Sequence, residues 1–177
     1  MNLDSTVISV VERVFAILAI VAALIAITGI IMLVRRRVPS WVRELALPLA
    51  TAMTAVAAGG SVFASEAAGY VPCALCWYQR FAMYPLPLIL GFAAFKGSER
   101  IWRIAIPIAA VGAVISSWHI AVEQWPLLGG DVCDPEAPCA VLWINEFGFL
   151  TLPTMALIGF VAVIVLTLLA RRPATDA

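Results

Sequence analysis

Five apolar stretches, each long enough to cross a bilayer, constrain this chain more than any other feature. The hydrocarbon core of a membrane is about 30 Å thick, so a helix needs roughly 20 mainly apolar residues to span it. The stretches are 14–34, 45–63, 77–95, 101–121 and 152–170. Hydrophobic residues make up 63% of the 177 positions, whereas a soluble domain has about 45–50%. We therefore predict an all-α integral membrane protein with five spans.

The basic residues predict how these spans are oriented. Cytoplasmic loops carry an excess of Lys and Arg. Nine of the eleven basic residues fall on one side of the predicted spans: Arg35, Arg36, Arg37, Arg43, Lys96, Arg100, Arg103, Arg171 and Arg172. Segments 65–72 and 122–151 contain none, so we predict that they face outward, with the N-terminus outside and the C-terminus inside. The formal net charge of zero gives no indication of nucleic-acid binding.

All four cysteines lie on the predicted outer side, as the pairs Cys73 with Cys76 and Cys133 with Cys139. Outside the cytoplasm thiols meet an oxidising environment, so both pairs are expected to form disulfides. The first pair is a C-x-x-C, and Pro72 before it predicts the first position of a helix. A helix N-terminus favours the thiolate, which attacks disulfides or electron-poor rings. We therefore predict a lowered thiol pKa in this pair.

Arg80 lies inside the predicted span 77–95, on the helical stripe of Cys73 and Cys76, and Gln79 borders that stripe. A charge inside a membrane indicates a functional site whose partner has to be named. We predict that the guanidinium faces the Cys76 thiolate and a carbonyl oxygen of a bound acceptor. The alternative is that the side chain extends to the outer headgroups.

The second pair closes a short, proline-stiffened, acidic loop from Cys133 to Cys139. We expect this disulfide to be exposed and exchangeable, because a staple across so short a loop stabilises little. An inert staple is one alternative. Zinc bound by the C-x-x-C and the loop pair together is the other, although C-x5-C is not the usual second spacing.

His119 is the only histidine, and it forms a polar stripe with Ser116 and Glu123 at the outer end of the fourth predicted helix. We predict that it places or protonates an acceptor near Cys76. The alternative is a packing residue that forms a local hydrogen bond.

A protein that oxidises others repeatedly needs an electron acceptor, because four cysteines hold at most two disulfides. The chain contains no G-x-G-x-x-G for a dinucleotide and no C-x-x-C-H for haem, and one histidine argues against a bis-histidine haem. The acceptor is therefore predicted to be lipid-soluble. A quinone fits, since it diffuses in the bilayer and takes two electrons for each thiol pair.

The combination of these motifs resembles the quinone-dependent thiol oxidases of the bacterial disulfide bond formation protein B (DsbB) type. The resemblance is carried by Pro-Cys-Ala-Leu-Cys-Trp-Tyr-Gln-Arg at 72–80, His119, the loop cysteines and Phe-Gly-Phe-Leu-Thr-Leu-Pro at 147–153. It covers roughly 45–170, in a short-loop form. Span 14–34 has no counterpart in the family's four-helix pattern, and we assign it no chemistry.

The resemblance implies a single membrane domain, 1–177, in a bacterial plasma membrane, with a four-helix bundle at 45–170 and an outer loop at 122–151. It also implies that a reduced thioredoxin-like (DsbA-type) carrier attacks Cys133 and that Cys139 then exchanges with Cys73. Cys76 would pass the electrons to menaquinone or ubiquinone from the membrane pool. Arg80, Gln79 and His119 would bind that quinone, and no metal is expected.

Two alternatives stay open at this stage. In the related vitamin K epoxide reductase family, a quinone reductase type, the loop pair precedes the C-x-x-C, whereas here the C-x-x-C comes first, which favours the DsbB type. The other alternative is a non-enzymatic membrane protein with structural disulfides or a zinc site. The short interval between Cys133 and Cys139 is expected to limit how far Cys139 moves toward Cys73.

Overall fold

The computed structural model describes residues 5–97, 100–133 and 137–171, and these form a helical bundle. A 3-10 helix (Pro126–Val132) and a hairpin of β1 (Asn145–Glu146) and β2 (Leu150–Thr151) lie between the last two long helices. The six helices are α1 (Ser5–Val34), α2 (Ser40–Glu66), α3 (Ala74–Met83), α4 (Pro85–Lys96), α5 (Trp102–Gln124) and α6 (Leu152–Leu169). The prediction of an all-α membrane protein is confirmed.

Four of these helices, α1, α2, α5 and α6, are long and apolar enough to cross a membrane. The predicted span 77–95 is divided between α3, with 10 residues, and α4, with 12 residues. Pro85 and Pro87 explain the division, because neither has an N–H to donate to the preceding turn. Tyr84 between the two helices keeps helical dihedral angles, φ −63° and ψ −35°. A fifth crossing by α3 and α4 in series stays a prediction.

Helix α6 occupies the centre of the bundle and packs against α1, α2 and α5. Its Phe160 is fully buried. Gly112 of α5 lies against that ring, and a Cβ at Gly112 would overlap it. The missing side chain is what lets α5 approach α6 this closely.

Helix α1 ends at Val34, as predicted, and begins at Ser5, nine residues before the predicted start at Val14. Its buried residues are all small: Ala16, Ala19, Ala22, Ala26 and Gly29. Gly29 meets Val165 and Leu169 of α6. The helix therefore belongs to the packed bundle, while the grouping of 1–177 into one domain, with 14–34 added to a bundle of 45–170, stays a prediction.

The hairpin ends the segment between α5 and α6 and sets the start of α6. Phe147 and Gly148 in its turn have positive φ, 56° and 78°, and glycine adopts that conformation at no steric cost. Thr151, at the end of β2, donates a hydrogen bond to Glu123 of α5, with 2.8 Å between Oγ1 and Oε2. This bond fixes the hairpin to the helix that carries His119.

Candidate functional site: a dithiol between two cavities

Cys73 is the N-cap of α3, with extended dihedral angles of φ −72° and ψ 172°. Its sulfur accepts the backbone N–H of Cys76 at 3.3 Å, so a sulfur takes the role that a Ser or Asp oxygen plays in most N-caps. Pro72 therefore precedes the cap, and the prediction that it is the first helical residue is wrong. Both cysteines of the pair are free thiols, with their sulfurs 2.9 Å apart, so the expectation that this pair forms a disulfide is not met in this structure.

The surroundings of Cys73, which lies in the link between α2 and α3, favour its thiolate. The hydrogen bond from the Cys76 thiol lowers the pKa of Cys73, and burial opposes that effect. His119 and the Cys76 backbone N–H lower the pKa further. The predicted lowering thus falls on the first cysteine of the pair.

His119 is buried and lies between the two cysteine pairs. The Gln79 amide donates to its Nδ1 at 3.0 Å, which leaves the imidazole proton on Nε2. Nε2 lies 3.1 Å from the carbonyl oxygen of Cys139, to which it donates, and 3.7 Å from the sulfur of Cys73. One nitrogen thus contacts both pairs.

The predicted polar stripe of Ser116, His119 and Glu123 divides among different partners. Ser116 donates to the carbonyl of Gly112 in its own helix, and Glu123 accepts from Thr151. The hydrogen-bonding sulfur beside His119 belongs to Cys73. That His119 assists an acceptor near Cys76 stays a prediction.

Cys133 and Cys139 form a disulfide, with their Cα atoms 5.6 Å apart. Cys139 is only 2% exposed, whereas Cys133 is partly exposed. The expectation of an exposed disulfide is therefore wrong for Cys139, which packs in a cluster with Cys73. Residues 134–136, which carry the acidic side chains predicted between the two cysteines, lie outside the described residues.

The sequence predicts that the short loop limits the movement of Cys139 toward Cys73, and the position of Cys139 bears on this expectation. Cys139 and Cys73 pack with Leu75 and Val122, and Cys76 lies at the edge of the same cluster. The loop pair therefore already adjoins the C-x-x-C, and no long swing of the loop is needed to bring them together.

Arg80 is held by α2. Its Nε donates to Ser61 Oγ at 2.9 Å and its Nη2 donates to the Ser61 carbonyl at 2.8 Å. The guanidinium carbon also lies 5.1 Å from the ring centroid of Trp77, within cation–π distance. The predicted partner, Cys76, is not among these hydrogen-bond partners. Sequence reasoning missed Ser61, since α2 contains three serines and nothing in the sequence distinguishes this one.

A cavity of about 400 Å³, which we call the large cavity, lies among α1, α2, α3 and α6. Its wall is largely apolar, and Cys76, Gln79 and Arg80 line one part of it. Pockets of this size and character are typical of small-molecule sites.

A much smaller space, which we name the outer recess after the predicted orientation, lies beside the dithiol. It is lined by Cys73, Cys76, His119, Glu123, Pro138, Cys139, Val141, Trp143, Leu152 and Pro153. Of these two spaces, Cys73 lines the outer recess alone, whereas Cys76 lines both. The two thiols of one motif therefore share the outer recess, and Cys76 alone of the two also reaches the large cavity.

The structure changes the set of residues that could bind zinc. The loop cysteines are joined to each other, so their sulfurs are not thiolate ligands in this state. Cys73, Cys76 and His119 nevertheless bring three ligand atoms within 4.8 Å of one another. A two-sulfur, one-nitrogen set is compatible with zinc.

A membrane-spanning helical bundle that places a C-x-x-C dithiol beside a second cysteine pair defines a class: multi-pass membrane disulfide oxidoreductases. Comparison with known families makes this specific. The family model described as disulfide bond formation protein DsbB matches residues 42–170. The chain belongs to the DsbB family, which confirms the resemblance, and its role lies in disulfide bond formation.

Individual relatives agree with the family. The chain is 43% identical over 113 residues to disulfide bond formation protein C of Bacillus subtilis, covering 63% of this chain and 82% of the relative. It is 42% identical over 125 residues to probable disulfide formation protein C 1 of Bacillus cereus, covering 70% and 89%. A probable disulfide formation protein of Oceanobacillus iheyensis is 40% identical over 119 residues, covering 66% and 82%. No solved structure matches the chain.

Proposed function

We propose that the protein is a membrane thiol:quinone oxidoreductase that reoxidises an extracytoplasmic thioredoxin-like (DsbA-type) carrier and passes the electrons through its two cysteine pairs to a quinone. The observation that carries this proposal is the division of the dithiol. Cys76 lines the large apolar cavity, and Cys73 lies with Cys139 at the outer recess. This arrangement supports exchange of Cys73 with the loop pair and electron transfer from Cys76 to a lipid-borne acceptor.

In this proposal the cysteine pairs lie on the extracytoplasmic side of a bacterial plasma membrane, with the N-terminus outside and the C-terminus inside. The absence of Lys and Arg from sequence segments 65–72 and 122–151 supports that orientation. A soluble carrier then reaches the loop pair from water, and the quinone pool reaches Cys76 from the bilayer.

The exchange steps follow from which sulfurs are accessible. A carrier thiolate attacks partly exposed Cys133 and breaks its bond to Cys139, and the second carrier thiol then closes the carrier disulfide. The freed Cys139 thiolate attacks Cys73 of an oxidised C-x-x-C and releases Cys76. Attack by Cys133 on Cys139 restores the loop disulfide and leaves Cys73 and Cys76 reduced. A loop disulfide with a free dithiol, as in this structure, is the product of these steps.

His119 and Gln79 support the exchange at Cys73. The Nε2–H near the Cys73 sulfur stabilises the negative charge that develops there when attack by Cys133 on Cys139 displaces the Cys73 thiolate. The Gln79 amide keeps that proton on Nε2 by donating to Nδ1. In this proposal His119 acts on the exchange between the pairs, and Gln79, which also lines the large cavity, contributes to both spaces.

The large cavity fits a quinone. Its apolar wall suits the ring and the tail of a quinone, and both Arg80 and the Cys76 thiol line it. Ser61 takes two of the five guanidinium N–H groups, so donors are left for a carbonyl oxygen. Bound there, menaquinone or ubiquinone would accept two electrons and two protons, so that carrier dithiol and quinone become carrier disulfide and quinol.

The test uses purified protein, a soluble quinone and a reduced thioredoxin-like protein. We expect one carrier disulfide for each quinone reduced, and complete loss of turnover in Cys76→Ser. Tyr78→Phe, at an exposed tyrosine on the same helix, is the matched control and should turn over normally. Unchanged turnover in serine variants of both pairs would eliminate the proposal. Starting from quinol and oxidised carrier tests the opposite, reductase direction.

A second candidate rests on the gathering of Cys73, Cys76 and His119, which would hold zinc in the reduced protein. Metal analysis of protein purified without chelators distinguishes the two. One zinc per chain that is lost in both Cys73→Ser and His119→Ala, together with absent quinone turnover, would favour the metal site over the oxidase.

A further inference from the structure

Helix α1 lies outside the region that matches the family, 42–170, yet it is seated in the bundle at both ends. Toward its outer end, the Phe15 ring lies against Gly60 of α2, where a Cβ would come 2.5 Å from Cε1. Toward its inner end, Gly29 meets Val165 and Leu169 of α6. Close contacts at two glycines, on two different helices, fix where α1 sits.

One face of α1 forms a wall of the large cavity. Phe15, Leu18, Ala22 and Ile25 all line it, and their spacing of three and four residues places them on a single helical stripe. All four side chains are apolar. An occupant that reaches Cys76 and Arg80 therefore shares its space with this stripe.

The outer end of α1 is tied to the segments that carry the cysteines. Glu12 accepts a hydrogen bond from the hydroxyl of Tyr70, which lies in the link before Cys73. The Tyr70 ring stacks on Trp143 of the outer loop, with centroids 5.0 Å apart and planes at 22°. Burial raises the pKa of Tyr70 to about 12, and Glu12 acts in the same direction, so the hydroxyl stays protonated and donates at neutral pH.

We propose that α1 is part of the acceptor site: its apolar stripe holds a lipid-soluble quinone against the wall that carries Cys76, and the Glu12–Tyr70 hydrogen bond latches this helix over the outer end of the cavity. The inference rests on the proposed function. A quinone suits the cavity better than a phospholipid chain, because the cavity combines an apolar stripe with guanidinium and amide donors and a thiol. An acyl chain would leave those donors unpaired.

The experiment maps a photoreactive azidoquinone on the full chain in detergent. We expect label on peptides of α1 as well as on α2 and α3, displaced by excess unlabelled quinone. In Tyr70→Phe, which keeps the ring on Trp143 but removes the donor, label on α1 should fall and KM for quinone should rise about threefold to tenfold, as for the loss of one hydrogen bond. Glu12→Gln should give a smaller change, and the control Tyr78→Phe none.

The outcomes separate the latch, the wall and the function. Turnover with label on α2 and α3 but none on α1 would overturn this inference and leave the proposed function intact. A KM in Tyr70→Phe equal to that of Tyr78→Phe would overturn the latch. Absence of both labelling and turnover in the unaltered protein would overturn the proposed function and this inference with it. The rate of exchange between Cys139 and Cys73 is the control for general distortion of the segments that carry the cysteines. We expect this rate to be unchanged in Tyr70→Phe, because the substitution removes only the hydroxyl. A slower exchange would mean that the substitution distorts those segments.

Discussion

Cys73 and Cys76 are three residues apart and share the outer recess, but only Cys76 of the two also lines the large cavity. Cys73 is a buried N-cap that faces His119 and the loop pair at the outer recess. Cys76, one turn further along, also lines the large cavity with Arg80. Cys73 precedes α3 with extended dihedral angles, whereas Cys76 lies within the helix and lines the large cavity together with Arg80. A helix start can therefore divide one dithiol between an exchange partner and a lipid-borne acceptor.

The strongest test of this comparison is a trapping experiment on Cys139. In Cys76→Ser with Cys133→Ser, mild oxidation should join Cys139 to Cys73 almost completely, because the two lie in one cluster and no third thiol can resolve the bond. In Cys73→Ser with Cys133→Ser, the bond from Cys139 to Cys76 should form far less. Peptide mapping without reduction measures both. Equal trapping by the two cysteines would show that the dithiol is not divided.

The next largest effect is expected at the cavity side, for Arg80. In Arg80→Lys the ammonium cannot reproduce the two-point contact with Ser61, so the donor for a quinone carbonyl is misplaced. We expect KM for quinone to rise about tenfold or more, equivalent to about 1.4 kcal/mol. Steady-state kinetics with a soluble quinone measures it.

Ser61→Ala is the graded companion to that substitution, because it removes the hydroxyl contact and leaves the carbonyl contact to Nη2. Its KM should fall between those of the unaltered protein and Arg80→Lys. Ser117→Ala, at an exposed serine that hydrogen-bonds only within α5, is the control. A Ser61→Ala protein with unchanged KM would mean that α2 does not position Arg80 for the acceptor.

On the outer side, His119→Gln should slow exchange between the pairs by about tenfold, the loss expected for one positioned donor that stabilises a thiolate. KM for quinone should stay within about twofold, since His119 does not line the large cavity. Rapid mixing of the reduced carrier with the oxidised protein, without quinone, measures exchange alone. If the variant changed mainly the KM for quinone, His119 would act on the acceptor near Cys76, as the sequence predicts, and not on the exchange between the pairs.

What the sequence predicted well was local. Runs of apolar residues gave the helices, and the C-x-x-C gave a dithiol at a helix start, because both depend on neighbours within a few turns. The start of α3 was missed by two residues, since the N-cap is Cys73 and a cysteine sulfur rarely takes that role. The fold class needed no tertiary information.

The contacts that the sequence did not predict are those between residues on different helices and loops. Arg80 hydrogen-bonds to Ser61, 19 positions away, and Tyr70 hydrogen-bonds to Glu12, 58 positions away. The sequence around Ser61 and Glu12 does not mark either residue as a partner. The burial of Cys139 was missed for the same reason, because a short polar loop is expected to be exposed until the helix it packs against is known. The partner of a buried charge therefore has to come from the packing.

The smallest expected effect concerns the pKa of Cys73. A titration of the thiolates can distinguish Cys73 from Cys76. With both loop cysteines replaced by serine, the ultraviolet absorbance of the reduced protein reports the thiolates of Cys73 and Cys76 alone. Because Cys76 donates to Cys73, one thiolate should already be present at neutral pH and should be lost only as pH falls through the lowered pKa. Cys76→Ala removes the donor and should move that transition upward, toward the ordinary value, whereas Cys76→Ser keeps a hydroxyl donor and should move it less. A transition near 8.5, the usual cysteine pKa, in all three proteins would show that the position of Cys73 before α3 does not favour its thiolate.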